Sequence, residues 1–108
     1  MSNWTIEALP AARREVKSLP RDLQARFFQI GEMLIKHGPQ KVGMPHVRHL
    51  EGRLWEMRMK GKSGIARAIY FTVVGKRIVV CSAFVKKSQK TPKQELIKAR
   101  NRMKGFEP

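Results

Sequence analysis

Residues 54–85 read LWEMRMKGKSGIARAIYFTVVGKRIVVCSAFV, and this stretch decides the fold of the 108-residue chain. Its first run, Leu54–Lys60, alternates apolar and polar side chains, which is typical of a half-buried strand. The runs Ala66–Val74 and Arg77–Val85 are rich in β-branched and aromatic residues, which favours strands as well. Short glycine-containing turns separate the runs, and such short connections join only antiparallel neighbours. The stretch therefore predicts three antiparallel strands.

Two amphipathic helices are predicted before these strands. The first begins at Pro10 and the second at Pro20, and the second ends at His37-Gly38-Pro39, where a basic last turn precedes glycine and proline. A helical hairpin of this kind buries one apolar face against a sheet. The apolar stripes, spaced by three or four residues, are Leu9, Ala12, Val16 and Leu19 in the first helix, and Leu23, Phe27, Ile30 and Leu34, widened by Phe28 and Ile35, in the second.

Shorter segments complete the prediction. Residues 4–9 alternate weakly and predict a first strand, whereas residues 39–52 are rich in Gly, Pro and His and predict a loop. A last helix is predicted from Thr91, with Gln94 completing a capping box, to Gly105. The fold class is α+β, one domain over residues 1–108 in which a small antiparallel sheet packs against an N-terminal helical hairpin and carries a C-terminal helix.

Positive charge is concentrated in the second half of the chain. The sequence has 23 Lys and Arg against 8 Asp and Glu, a net charge of +15. Residues 1–52 hold eight basic and five acidic residues (+3), and residues 53–104 hold fifteen and two (+13). Solubility of a small domain needs a net charge of only about 2–8, so the excess predicts an anionic partner such as nucleic acid, the ribosome or an acidic protein.

Arg67 is the sole charge in the run from Ile65 to Val74. A guanidinium in a half-buried strand needs an anionic partner or a wet concave surface. Two interpretations follow from the residues alone. In one, Arg67 pairs with Glu56 on the adjacent strand. In the other, Arg67 lines a phosphate-binding surface together with Arg58 and Lys60, which share one face of that strand with Glu56.

Other chemistries have little support in the sequence. His46 and His49 have only Glu51 as a nearby carboxylate, so no metal site is predicted. The single cysteine, Cys81, lies in an apolar run and is predicted to be a buried free thiol, which fits a reducing cytoplasm. Trp55 is expected to be a core aromatic or a platform that stacks a base. No apolar run approaches the length of a membrane span, and no signal segment is recognised.

A resemblance to a known family is carried by the stretches Val47–Arg58, Ala66–Phe71 and Ala83–Pro92, together with Glu95 and Ala99 in the last helix. With these residues the chain resembles toxins of the RelE/ParE superfamily, and most of all the HigB-like, phage-related branch. The family pattern also includes a first strand, two helices after it and a helix end such as Gly38-Pro39. The resemblance therefore covers almost the whole chain.

The resemblance implies a RelE-like fold and the toxin of a type II toxin–antitoxin system. Such toxins are endoribonucleases that enter the ribosomal A site, beside the 16S rRNA, and cut the messenger there. They use no metal or other cofactor: the 2′-hydroxyl of the messenger attacks the adjacent phosphate, and basic side chains stabilise the transition state. A cognate antitoxin, often a helix-turn-helix protein, is the implied partner, and the implied location is the cytoplasm.

The resemblance also implies roles for individual residues. Arg67 matches the arginine of the central strand that contacts the scissile phosphate, Arg58 matches a basic position of the preceding strand, and Lys87, or its neighbour Lys86, matches the basic residue after the last strand. These three positions, Arg67, Arg58 and Lys87, are the predicted catalytic residues. The predicted RNA-binding residues are Lys60, Lys86, Lys90 and Phe84.

One departure from the family pattern concerns proton transfer. Several relatives place Tyr or His just after the last strand or in the final helix, whereas Ser88 and Gln89 follow Lys87 here and the only tyrosine is Tyr70. The general base is therefore left open by the sequence. A lysine with a lowered pKa could take that role.

Two alternatives come from other classes of protein. One is a toxin of the same fold that inhibits DNA gyrase without cutting RNA, as in the ParE branch, and the other is a basic nucleic-acid-binding regulatory module. The combination of Arg58, Arg67 and Lys87 favours cleavage. On this interpretation Arg67→Ala is expected to abolish toxicity with the fold intact, Arg67→Lys is expected to restore it only in part, and the antitoxin is expected to cover the basic face with an acidic segment.

Overall fold

This computed structural model describes residues 3–87 and 89–106 of the chain, and these residues contain nine helices and strands. The helical hairpin, the three central strands and the last helix all lie where the sequence predicts them. The elements are β1 (Thr5–Ala8), α1 (Pro10–Lys17), α2 (Arg21–His37), α3 (Pro39–Val42), β2 (Val47–Glu51), β3 (Leu54–Gly61), β4 (Gly64–Val73), β5 (Arg77–Val85) and α4 (Lys93–Phe106).

The strands form one sheet in the order β1-β5-β4-β3-β2. The antiparallel pairing of β3, β4 and β5 confirms the prediction from the central stretch. β1 lies parallel to β5, with Thr5 beside Arg77, so the sheet is mixed and not purely antiparallel as predicted. This arrangement is possible because the long connection between β1 and β5 has room for the crossover that a parallel pair requires.

The predicted loop over residues 39–52 contains two regular elements. One turn of helix, α3, follows Gly38, and β2 pairs antiparallel with β3 at the edge of the sheet. The prediction of a loop was wrong here because the pairing of a short edge strand depends on the backbone of its neighbour more than on its own composition. A register shift between His49 and Glu51 also interrupts the alternation that would have indicated a strand.

The helical hairpin covers one face of the sheet. Leu23, Ile30 and Leu34 of α2 are fully buried, as the predicted stripe requires. Phe28 was expected to widen this stripe, but its side chain is 61% exposed. The reason is geometric: Phe28 follows the buried Phe27, and consecutive helical residues point about 100° apart, so only its ring edge contacts Phe27, at 5.4 Å between centroids.

Glycine is required at position 38, where α2 ends, because of the backbone conformation there and because the Trp4 side chain lies against it. The φ of Gly38 is +83°, and a Cβ added there would lie 2.6 Å from Nε1 of Trp4. Gly38→Ala is expected to lower the free energy of unfolding by at least about 2 kcal/mol, through left-handed strain and overpacking together. Urea denaturation would measure the loss. Gly75→Ala is the matched control, since Gly75 has φ +92° with open space around it. An equal loss in both variants would contradict the clash with Trp4.

The opposite face of the sheet is covered in part by α4. Ala99 is fully buried there, over Ile69 and Phe71 of β4. An ion pair across the molecule fastens this helix: Nη1 of Arg102 lies 2.8 Å from Oε1 of Glu15 in α1. The rest of this face, beside β2 and the start of β4, remains outside the cover of α4. None of the described helices is both long and apolar enough to span a membrane.

The contribution of the Glu15–Arg102 ion pair to stability can be tested through Glu15. Burial alone would raise its pKa, but hydrogen bonds from Arg102 and the Ala83 N–H, with the charges of Arg102 and Lys98, lower it below 4.5. Its stabilising effect is therefore full above pH 4.5 and is lost as the pH falls through the lowered pKa of the folded state. Glu15→Gln is expected to cost about 1.5–3 kcal/mol at pH 7, and the difference should shrink in acid. Denaturation at pH 7 and at a pH below the lowered pKa of Glu15 would measure this difference. Glu32→Gln, on the exposed surface of α2, is the control. A loss of stability that does not depend on pH would contradict this assignment.

Candidate functional site

A charged cluster lies on the part of the sheet that α4 leaves uncovered. The strand register brings its members together: Arg58 of β3 is the direct partner of Arg67 of β4, and Glu56 of β3 is the partner of Arg48 of β2. Glu56 and Arg58 are two residues apart and share one face of β3, as the sequence alternation predicts. Four charged side chains from three strands therefore meet on one surface.

Glu56 is the centre of this cluster. Its side chain is only 2% exposed, and both carboxylate oxygens have partners. Oε1 lies 2.7 Å from Nε of Arg48 and 3.0 Å from Nη1 of Arg67. Oε2 accepts a hydrogen bond from the Thr91 hydroxyl at 2.8 Å. A buried carboxylate is stable only when such partners replace water, so Glu56 holds the cations in fixed positions.

Arg67 is buried as well, with 4% of its surface exposed. Besides Glu56, its Nη1 donates to Thr91 Oγ1 at 2.8 Å, and its Nη2 donates to the Gln89 carbonyl at 3.1 Å. The pairing of Arg67 with Glu56 is the first of the two interpretations drawn from the sequence. Gln89 and Thr91 thus lie over Arg67 and shield it from solvent.

Arg58 is more accessible than Arg67. Its side chain is half-buried, and its Nε has no hydrogen-bond partner within the described part of the chain. It borders a cleft of about 220 Å³, which we name the basic cleft. The basic cleft is lined by Met44, Pro45, His46, Val47, Arg48, Glu56, Arg58, Arg67, Lys86 and Gln89.

Lys86 forms one wall of the basic cleft. Its backbone N–H donates to the Ile65 carbonyl at 2.7 Å, which fixes the start of the segment after β5. Partial burial lowers the pKa of its ammonium, and the positive charges of Arg67 and Arg58 lower it further. Lys87, its neighbour, is exposed and borders a shallower depression that Lys86 shares. A lysine with a lowered pKa, which the sequence could only suggest, therefore lies in the cleft.

The predicted RNA-binding residues occupy different surroundings. Lys86 lines the basic cleft, whereas Lys60 is exposed nearer the turn that joins β3 to β4. Lys90 is exposed on the segment before α4. Phe84 is opposite Arg67 in the register, is half-buried, and packs against the apolar cluster under α4. These positions leave the RNA-binding assignments as predictions.

Three other candidate residues, Tyr70, Cys81 and His49, do not line the basic cleft. Tyr70 points to the helical-hairpin face, opposite the basic cleft, and burial raises the pKa of its hydroxyl. Cys81 is a buried free thiol, as predicted, and burial raises its pKa to about 12, so it is protonated at neutral pH. Within residues 3–87 and 89–106, no three His, Cys, Asp or Glu side chains are grouped to hold a metal ion, and His49 bonds to the Gly52 carbonyl.

Sequence reasoning missed two members of the cluster. Arg48 was placed in a loop, although the Val47–Arg48–His49 alternation is a weak strand signal. Thr91 was expected to cap the last helix, but α4 begins at Lys93. The Thr91 hydroxyl instead accepts a hydrogen bond from Arg67 and donates one to Glu56. No local signal could have shown this, because Thr91 and Glu56 are 35 residues apart.

Comparison with known proteins agrees with this architecture. A family model of phage-derived Gp49-like proteins matches residues 14–104. A mutant of the Escherichia coli toxin RelE in its free state has 15% sequence identity and a TM-score of 0.62, over 95% of this chain and 99% of that chain. No curated protein matches significantly.

Two structures of complexes are similar too. The toxin–antitoxin complex RelBE2 from Mycobacterium tuberculosis contains a chain with 16% identity and a TM-score of 0.58, over 78% of this chain and 99% of that chain. The archaeal RelE–RelB complex from Pyrococcus horikoshii contains a chain with 22% identity and a TM-score of 0.55, over 79% of this chain and 96% of that chain. At these identities the likeness establishes the RelE-like α+β fold.

Proposed function

Because the chain belongs to the family of phage-derived Gp49-like proteins and has the RelE fold, we propose that it is the toxin of a type II toxin–antitoxin system, of the HigB-like branch. It acts as a ribosome-dependent mRNA endoribonuclease that stops translation. The observation that carries this proposal is the basic cleft, where three arginines and a lysine with a lowered pKa surround a space open to solvent.

The cleft suits cleavage that uses the messenger's own 2′-hydroxyl. The half-buried Arg58 guanidinium is positioned to bind a phosphate oxygen and to stabilise the charge that develops on it. Lys86, when neutral, accepts the proton of the attacking 2′-hydroxyl. The 2′-oxygen bonds to phosphorus while the bond from phosphorus to the 5′-oxygen breaks, and the leaving 5′-oxygen takes a proton from water. Arg67 reaches the phosphate once Gln89 and Thr91 withdraw from it, and Glu56 keeps the arginines aligned until then. Lys87 and Lys60 extend the positive surface along the RNA.

The proposed partners follow from the charge and from the similar complexes. The messenger in the ribosomal A site and the 16S rRNA around it supply the phosphates that a +15 protein attracts. One of the similar structures is a toxin–antitoxin complex and another is a RelE–RelB complex, and a cognate antitoxin, of helix-turn-helix type, is the corresponding partner here. The protein acts in the cytoplasm, where ribosomes translate.

Primer extension on a reporter messenger in a cell-free translation reaction tests the proposal. Wild-type protein is expected to produce new 5′ ends within the translated region, and these ends should vanish when ribosomes are omitted. Arg58→Ala should abolish them, because Arg58 lines the basic cleft. Arg13→Ala, which removes one exposed cation from α1 on the other face, should leave them unchanged. Intact messenger during continued translation would refute the proposal and direct attention to topoisomerase inhibition.

A further inference from the structure

A second pocket lies on the face of the sheet opposite the basic cleft. It has a volume of about 420 Å³ and is formed where the end of α2 and α3 meet the residue before β1 and the strands β3 and β4. We name it the tryptophan pocket, because both tryptophans of the chain line it. Its aromatic and cationic lining residues are Trp4, Trp55, Lys36, His37, Lys41 and Lys76.

The two indoles are held in place before any ligand binds. The backbone N–H of Trp4 donates to the Ile35 carbonyl at 3.0 Å, and its ring lies close against Gly38. Trp55 is fixed in β3 and meets the His49 ring edge to face, at 5.0 Å between centroids. Both tryptophans are half-buried, so each combines a packed side with an accessible one. Rigid aromatic rings bind a flat ligand with little ordering cost.

The charges around the indoles are of one sign. Lys36 and Lys41 are exposed at the rim, and Lys76 borders the pocket from the turn between β4 and β5. Among the described residues that line this pocket, none carries a carboxylate. Elsewhere the described acidic residues commonly neutralise nearby arginines, as Glu7 does with Arg77 at 2.7 Å. The tryptophan pocket therefore combines stacking surfaces with positive charge at its rim.

We propose that the tryptophan pocket binds an unpaired base of single-stranded RNA, which stacks on an indole while Lys36 and Lys41 hold the adjacent phosphate. Aromatic rings beside cations are the usual means of binding single strands without sequence readout. A purely apolar ligand would gain nothing from the lysines, and an acidic peptide would gain little from the indoles. This subsite is separate from the cleft and does not depend on RNA cleavage there.

Tryptophan fluorescence of the full-length protein tests this proposal directly, because both emitting residues line the pocket. Titration with tetra-adenylate RNA at fixed salt is expected to quench the emission. The double variant Lys36→Ala/Lys41→Ala should bind at least about tenfold more weakly, because each lysine gives the phosphate a charged hydrogen bond. Arg13→Ala/Lys17→Ala removes two exposed charges from α1 and should bind like wild type. Arg58→Ala removes a phosphate contact in the basic cleft but should leave the quenching of the two indoles as in wild type, which separates this subsite from the cleft.

Two further ligands identify the chemistry that is recognised. Ribose 5-phosphate carries the phosphate without a base, and hexaglutamate carries negative charge on a peptide; both are expected to bind much more weakly than the RNA. Binding of either as tightly as tetra-adenylate would overturn the proposal. So would unchanged emission up to millimolar RNA, or an equal loss of affinity in the α1 control variant.

Discussion

Arg67→Ala is expected to abolish toxicity and to lower the free energy of unfolding by about 3–5 kcal/mol, the cost of removing one partner from a buried ion pair. Arg67 is 4% exposed, and its side chain bonds to Glu56, Thr91 and Gln89. Removing this side chain leaves the Glu56 carboxylate buried with one cationic partner fewer. It also removes the hydrogen bonds that hold Gln89 and Thr91 in place. The expectation of an intact fold, drawn from the sequence, therefore changes to a folded but weakened protein.

Growth inhibition in cells and urea denaturation of the purified variants measure the two effects separately. Arg67→Lys should recover part of the stability but little activity, because an ammonium cannot bond Glu56, Thr91 and Gln89 in one plane as the guanidinium does. Arg58→Ala is the comparison for function, since Arg58 lies in the same cleft but is only half-buried. An Arg67→Ala protein that stays fully toxic would refute the assignment of Arg67.

Lys86→Arg is expected to reduce messenger cleavage by about 10²–10⁴-fold, the usual contribution of a general base. Arginine keeps the positive charge but cannot give up its proton. The lowered pKa of Lys86 increases the neutral fraction of its amine near neutral pH, relative to an ordinary lysine. The wild-type rate should accordingly rise with pH, by about tenfold per unit until the pKa of Lys86 is reached.

Single-turnover cleavage on programmed ribosomes at several pH values gives this profile. Lys87→Arg is the matched control, because Lys87 is the exposed neighbour and carries the same charge. If Lys87→Arg lost activity while Lys86→Arg kept both its rate and its pH dependence, the proton acceptor would be Lys87. That outcome would give Lys87, which the resemblance predicts to be a catalytic residue, the role of general base that the sequence left open.

The parts of the fold that follow from local patterns could be predicted from the sequence. The α2 stripe of Leu23, Ile30 and Leu34 repeats with the helical period, and the alternation around Glu56 and Arg58 assigns each side chain to a face. The same alternation places Arg58 and Glu56 beside Arg67 when the strands pair in chain order. The neighbourhood of the candidate site therefore follows from residue spacing and strand order.

What the sequence could not supply depends on contacts between distant residues. The parallel position of β1 and the edge strand β2 are decided by backbone pairing, which leaves little trace in composition. The burial of Arg67 depends on Thr91 and Gln89, which reach it from 24 and 22 residues away. The sequence left open whether Arg67 faces solvent or Glu56, because both require the same half-buried strand around it.

The parallel pairing of β1 with β5 determines when the molecule can finish folding during its own synthesis. Glu7 bonds to Arg77 across 70 residues, and Glu15 bonds to Arg102 across 87. Such contacts form only after the intervening chain has been made, and they are the slow ones in folding. The helical hairpin leaves the ribosome before the sheet that covers it exists, and the basic cleft is assembled only when β5 and the residues up to Thr91 emerge. A nascent copy of this proposed translation inhibitor therefore lacks its cleft while most of it is being translated.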